Sequence, residues 1–229
     1  MNPQINFYIR IFGHDDTDML EGILRTLGAA ARSAEKRISD VAKTHDSEDL
    51  AEVFTEENML IEGLLGCAFV AAQTYIELVV ARTERLRQRV KNQCHHDLKT
   101  TKCEKHEIIH KFSDLVTGST YSKIELINAC ANYFKHHERW PSKWDCATRK
   151  DIKNTIRIIR AVGASENSSD NCRKGLVALG IDPVFNVFML AEILHEWHAK
   201  LTIAYKQELR SLDQLCKASG DTINRKPGA

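Results

Sequence analysis

From Asn58 to Gln93 the chain reads NMLIEGLLGCAFVAAQTYIELVVARTERLRQRVKNQ, with apolar residues at helical spacing and no proline in the run. A segment of this kind commits a large part of the chain to one long helix. The rest offers few ways out of helical structure, because 229 residues contain only 4 Pro and 11 Gly, too few for the many turns of a β-sandwich. The pattern predicts an all-α protein, a single-domain bundle of about six or seven helices over residues 15–217. An N-terminal arm (1–14) and a flexible tail (218–229) are expected to flank it.

Other segments support this organisation. INFYIRIF, residues 5–12, is the one β-like run, a short arm or a helix start. Met19, Leu20, Ile23, Leu24 and Leu27 fall at helical spacing, and the acidic stretch DSEDLAEVFTEE leads into the long apolar segment. A Cys/His/Lys-rich connector, CHHDLKTTKCEKH, comes before EIIHKFSDLV. Ser122 stands three residues before Glu125, a capping-box pattern that predicts a helix start, and Pro141 is expected to end that helix. A further helix fits RKDIKNTIRIIRAVG, followed by a polar loop, ASENSSDN. The last helix is expected to start at Asp182-Pro183, with Pro in the first helical position, and to run to about Lys217.

Composition limits the functional classes. A net charge of +1 gives the whole chain no electrostatic case for nucleic acid, although Arg82–Lys111 is locally basic and could meet phosphates. MNPQINFYIRIF lacks the features of a signal peptide, and CAFVAAQTYIELVVA is interrupted by Gln73, Thr74 and Glu77, so no membrane span is expected. Seven irregularly spaced Cys fit reduced thiols, and the expected location is the cytoplasm. Gly-rich phosphate loops, dinucleotide fingerprints and Gly-x-Ser-x-Gly are missing, and no cofactor is expected.

The helix ending in NYFKHHERWP carries the main candidate site. At roughly 100° per residue, Glu125, Asn128, Asn132, His136 and Arg139 fall on one narrow stripe, while apolar residues cover most of the remaining surface. A guanidinium for charge, an imidazole for proton transfer and amides for orientation could together bind a phosphodiester. Amphipathic helices present such stripes to water as a matter of course, and a His is favoured at any helix C-terminus. Both readings stand at this level. Glu77 shares a polar face with Gln73 and Glu84; if buried, it would need a partner such as His136 or Arg139. Trp140 and Trp144 around Pro141 suggest a packed corner, with base stacking as the alternative.

A long apolar helical region followed by a later helix ending in Asn132-x-x-x-His136 resembles the HEPN superfamily of nucleic-acid-linked helical domains. That family's signature is an Arg, a polar residue and then a His, completed across a homodimer. The chain departs from it at Ala131, where the Arg would stand. The resemblance implies metal-independent RNA cleavage, or RNA binding alone, in phage defence or a toxin–antitoxin-like system with a protein antitoxin as partner. It makes His136 the base that withdraws a ribose 2′-hydroxyl proton. Arg139, Lys135, Arg89 or a residue of a second subunit would then supply the positive charge. Arg89 and His95 form a second, weaker match, lacking the polar residue after the Arg.

Three other arrangements compete. A non-catalytic helical interaction module would have the same composition. Glu107/His110 and Glu192/His195 are both Glu-x-x-His pairs, as in di-metal helical bundles, with Glu77 and Glu125 to complete the set. Cys94, His95, His96, Cys103, His106 and His110 crowd one connector, as a zinc site would need, but without a Cys-x-x-Cys pair.

Overall fold

The computed structural model describes residues 7, 17–43, 47–99 and 105–218, and within them the protein is all-α. Seven α-helices occur among the described residues: α1 (Thr17–Val41), α2 (Ser47–Cys94), α3 (Lys105–Lys111), α4 (Lys123–His136), α5 (Lys150–Arg160), α6 (Asn171–Ala178) and α7 (Met189–Ala218). The arm, apart from Phe7, and the tail, apart from Ala218, lie outside the described residues.

The spine is α2. Its 48 residues span about 72 Å at the usual rise of a helix. The acidic stretch belongs to this helix from Ser47 onward, so the long apolar segment starts well inside it. From Ile61 to Val90, one stripe (Ile61, Leu65, Phe69, Ile76, Val79, Leu86, Val90) is buried, and it packs against α1, α4, α6 and α7. By length and composition α2 is also long and apolar enough to cross a membrane, although half of its apolar window is buried within the fold. Packed against it, α1 buries Leu20, Leu24, Gly28, Ala31 and Ala34. An Arg37–Glu57 ion pair, with Nη2 2.7 Å from Oε2, ties the two helices together.

The helix α4 lies at the centre of the bundle, touching α2, α3, α5, α6 and α7. Ile124, Leu126, Ile127, Ala129, Cys130, Ala131 and Tyr133 are buried, which leaves one narrow side uncovered. That side is the predicted polar stripe.

The fold departs from the sequence expectation at several helix ends, and the α-helix expected to run to Pro141 stops at His136. The last helix begins at Met189 rather than at Asp182-Pro183, whose peptide bond is cis. A further helix, α6, follows the polar loop in a stretch where the sequence pattern suggested none. Its start depends on a distant residue: Glu62 of α2 accepts hydrogen bonds from the backbone N–H groups of Cys172 and Arg173 in its first turn. Local sequence carries no sign of a cap supplied from more than a hundred residues away.

Candidate functional site: a donor-lined cleft between α4 and α5

The start of α4 fixes the direction of its polar side. Ser122 Oγ accepts from Glu125 N at 3.1 Å, and Glu125 Oε2 accepts from Ser122 N at 2.7 Å, completing the capping box. The same carboxylate lies 2.8 Å from His110 Nδ1. Glu125 therefore serves the helix start, and the cleft lining begins one turn later, at Asn128.

At its other end, α4 gives way to a 3-10 turn over His137–Arg139. His137 leaves the polar side and stacks on Tyr133, with ring centroids 4.6 Å apart. Trp140 and Trp144 meet edge to face at 6.0 Å, and both contact Tyr133, so the corner around Pro141 is packed. Packing at this corner holds the turn that carries Arg139.

Between α4 and α5 lies a cleft of about 530 Å³. Asn128, Asn132, His136, Arg139 and Trp140 line one wall; Arg149, Asp151, Ile152, Thr155 and Ile158 line the other. Arg149 is engaged by Asp151, with Nη2–Oδ2 at 2.6 Å and Nε–Oδ1 at 3.2 Å. The guanidinium beside Asp151 holds its carboxyl below the ordinary aspartate range. The side chains of His136 and Arg139 are exposed and make no hydrogen bond or ion pair among the described residues. Arg139 is thus the cation of the described lining that no carboxylate neutralises.

Beneath the α4 wall sits Gln73, an α2 side chain that is 6% exposed. Its Nε2 donates to Asn128 Oδ1 at 2.7 Å and to Asn132 Oδ1 at 2.9 Å, and its Oε1 accepts from Lys135 Nζ at 2.6 Å. A buried amide needs partners on both its atoms, and here all are supplied. This is the link the sequence did not disclose. In FVAAQTYIEL, Gln73 reads only as a break in an apolar run, with no local sign that two Asn residues meet it from another helix. The α5 wall is equally hidden in sequence.

The structure brings Asn128, Asn132, His136 and Arg139 to one cleft and sets Lys135 beside it, on Gln73. Glu77 is exposed on α2 and is not part of the cleft lining. Position 131 is fully buried, so a guanidinium there would be desolvated among apolar side chains. Arg89 and His95 are both exposed, and His95 turns the chain out of α2 with a positive φ of 51°. Within the basic segment, Arg87 is taken up by Glu84 at 2.9 Å and faces Asp97.

The metal alternatives do not assemble among the described residues, where no three His, Cys, Asp or Glu side chains gather as a ligand set. Glu107, His110, Glu192 and His195 are all exposed, and His110 is directed at Glu125. Cys103 and the side chains of Cys94 and His106 lie outside the described residues. Cys130 and Cys172 are buried free thiols, and burial pushes both far above the usual thiol range, away from nucleophilic use. No family model matches the chain, and no curated protein or solved structure matches it either.

Proposed function

We propose that the protein binds single-stranded RNA in the α4–α5 cleft and cuts it by attack of a ribose 2′-hydroxyl, as the HEPN resemblance implies. The observation that carries this reading is the convergence of His136, Arg139 and Asn132 on one open cleft, with the imidazole and guanidinium uncommitted among the described residues. His136 takes the 2′-hydroxyl proton, and the oxygen forms a bond to phosphorus. The phosphorus–5′-oxygen bond breaks, the departing oxygen takes a proton from water, and His136 returns its own to solvent. Products are a 2′,3′-cyclic phosphate and a 5′-hydroxyl. Arg139 stabilises the charge that develops on the phosphoryl oxygens, in place of the family's Arg, since position 131 is buried.

A homodimer, a cytoplasmic setting in phage defence or a toxin–antitoxin-like system, and a protein antitoxin as partner belong to the same proposal and rest on the resemblance. The test is an RNA digest in EDTA with the wild type and His136→Ala. Fragments ending in cyclic phosphate are expected from the wild type alone. Equal degradation by the variant, or no cleavage by the wild type, overturns the catalytic assignment.

A second reading, a non-catalytic helical interaction module, draws on Phe54, Met59 and Leu60, large apolar residues exposed within the first four turns of α2. In that case charged substitutions at these positions abolish complex formation in the cell, while His136→Ala has no effect.

A further inference from the structure

Two amides line the cleft wall and a third, Gln73, lies buried behind them; each could be turned either way, and their orientation decides what the cleft can bind. Asn and Gln side chains have a donor end and an acceptor end that geometry alone does not distinguish. One member of the network is unambiguous. The Lys135 ammonium can only donate, and its Nζ lies 2.6 Å from the Gln73 amide. The atom facing it must therefore be Oε1; the reverse would bring two donors together in a site where Gln73 is buried.

With Oε1 fixed, the Gln73 Nε2 group has two hydrogens and needs two acceptors, and it finds them at Asn128 Oδ1 and Asn132 Oδ1. Both asparagines line the cleft, and neither Nδ2 has a partner among the described residues. One lysine thus sets the direction of three amides in turn.

We propose that Lys135 and Gln73 are positioning residues that turn the Asn128 and Asn132 N–H groups into the cleft, selecting a ligand that presents only acceptors: an unprotonated oxyanion, here the RNA phosphodiester. This rests on the RNA reading for the identity of the ligand, but not for its chemical character. The two amides supply four N–H hydrogens, and Arg139 adds a charged donor. A neutral ligand that presents its own N–H or O–H groups to this wall meets the N–H ends of the two amides, whose oxygens are engaged by Gln73. Gln73 touches no ligand in this account and acts through the asparagines.

The test uses Gln73→Glu, close in shape but acceptor-only when ionised. Its carboxylate would still accept from Lys135 but would draw in the Asn Nδ2 groups, turning both Oδ1 atoms towards the ligand. Two probes are used with the full chain: sulfate, which has no proton to donate at neutral pH, by calorimetry, and a single-stranded RNA oligonucleotide by fluorescence anisotropy. Thermal melts are recorded alongside. The wild type is expected to bind both, and Gln73→Glu to lose about tenfold or more in affinity for both, as two hydrogen bonds to a charged ligand are removed.

Lys135→Met, at an exposed position, covers the case in which Gln73→Glu fails to fold, and should weaken binding in the same direction. Lys135→Arg keeps a donor-only group and should restore binding. Lys143→Met, which removes the same charge outside the cleft, should change affinity less than Lys135→Met.

The outcomes separate the two claims. Sulfate bound without RNA, and weakened in Gln73→Glu, overturns the RNA reading and supports the inference. RNA bound equally by wild type and Gln73→Glu, or by wild type and Lys135→Met, overturns the inference alone. Binding of neither probe by the wild type overturns both.

Discussion

Gly66 on α2 lies against the ring of Phe134 on α4, so closely that a Cβ at position 66 would come 2.0 Å from Phe134 Cδ2 and 2.4 Å from Cγ. This contact sets how near the two helices approach, and so whether Gln73 can reach Asn128 and Asn132. Gly66→Ala is expected to force the ring and the end of α4 outward. Overpacking of this kind costs about 1–3 kcal/mol. Urea denaturation should show that loss, and RNA affinity should fall with it; an unchanged midpoint would mean that the ring moves aside without resistance.

The capping box gives a second expectation. Ser122 is fully buried, and its hydroxyl accepts the Glu125 N–H in the first turn of α4. Ser122→Ala should destabilise the protein by about 1 kcal/mol. Glu125→Gln, which can still accept from the Ser122 N–H, should cost less. Thermal or chemical denaturation checks both, and a larger loss in Glu125→Gln would show that the His110 contact carries more than the cap.

Glu62 leads to a prediction about pH. Burial raises its carboxyl above the ordinary glutamate range, and the Cys172 and Arg173 N–H groups offset this only in part. A carboxyl raised on folding contributes stability that is fully present below its unfolded value. That contribution is lost as pH rises through the folded value. Glu62→Gln keeps an acceptor for α6 and has no proton to lose. Its stability relative to wild type should therefore improve as pH rises above the ordinary glutamate range, from about pH 4 upward. Parallel pH profiles from denaturation would contradict this.

Much of the fold could be read from the sequence, because the helices announce themselves through local spacing. The long apolar run became α2, and Ser122 and Glu125 marked the start of α4 to the residue. The polar side of α4 was also legible, since a buried helix shows its one open face as a stripe. What remained hidden was what lies across from each residue. Glu62 caps a helix that follows it by more than a hundred residues, and the Gln73 amide on α2 joins three residues of α4. Such contacts depend on helix packing, which local spacing does not encode. Glu77 and Gln73 illustrate the limit: they share a helical face in sequence, yet Gln73 is buried behind the asparagines of the cleft wall and Glu77 lies exposed.

Arg139 should behave as a phosphate ligand that does not read bases. Arg139→Gln is expected to weaken binding about equally across RNA sequences and to reduce the dependence of log affinity on log salt by about one unit. Anisotropy titrations at several salt concentrations measure this. A change confined to one sequence would instead point to base recognition.

The most direct measurement is the response of individual side-chain amides to RNA, followed by NMR on protein labelled with 15N at asparagine and arginine. On titration with a short single-stranded RNA, the Nδ2 resonances of Asn128 and Asn132 and the Nε resonance of Arg139 should shift together, at one common affinity. Shifts confined to the Arg82–Lys91 segment, with these three signals unmoved, would contradict RNA binding in the α4–α5 cleft.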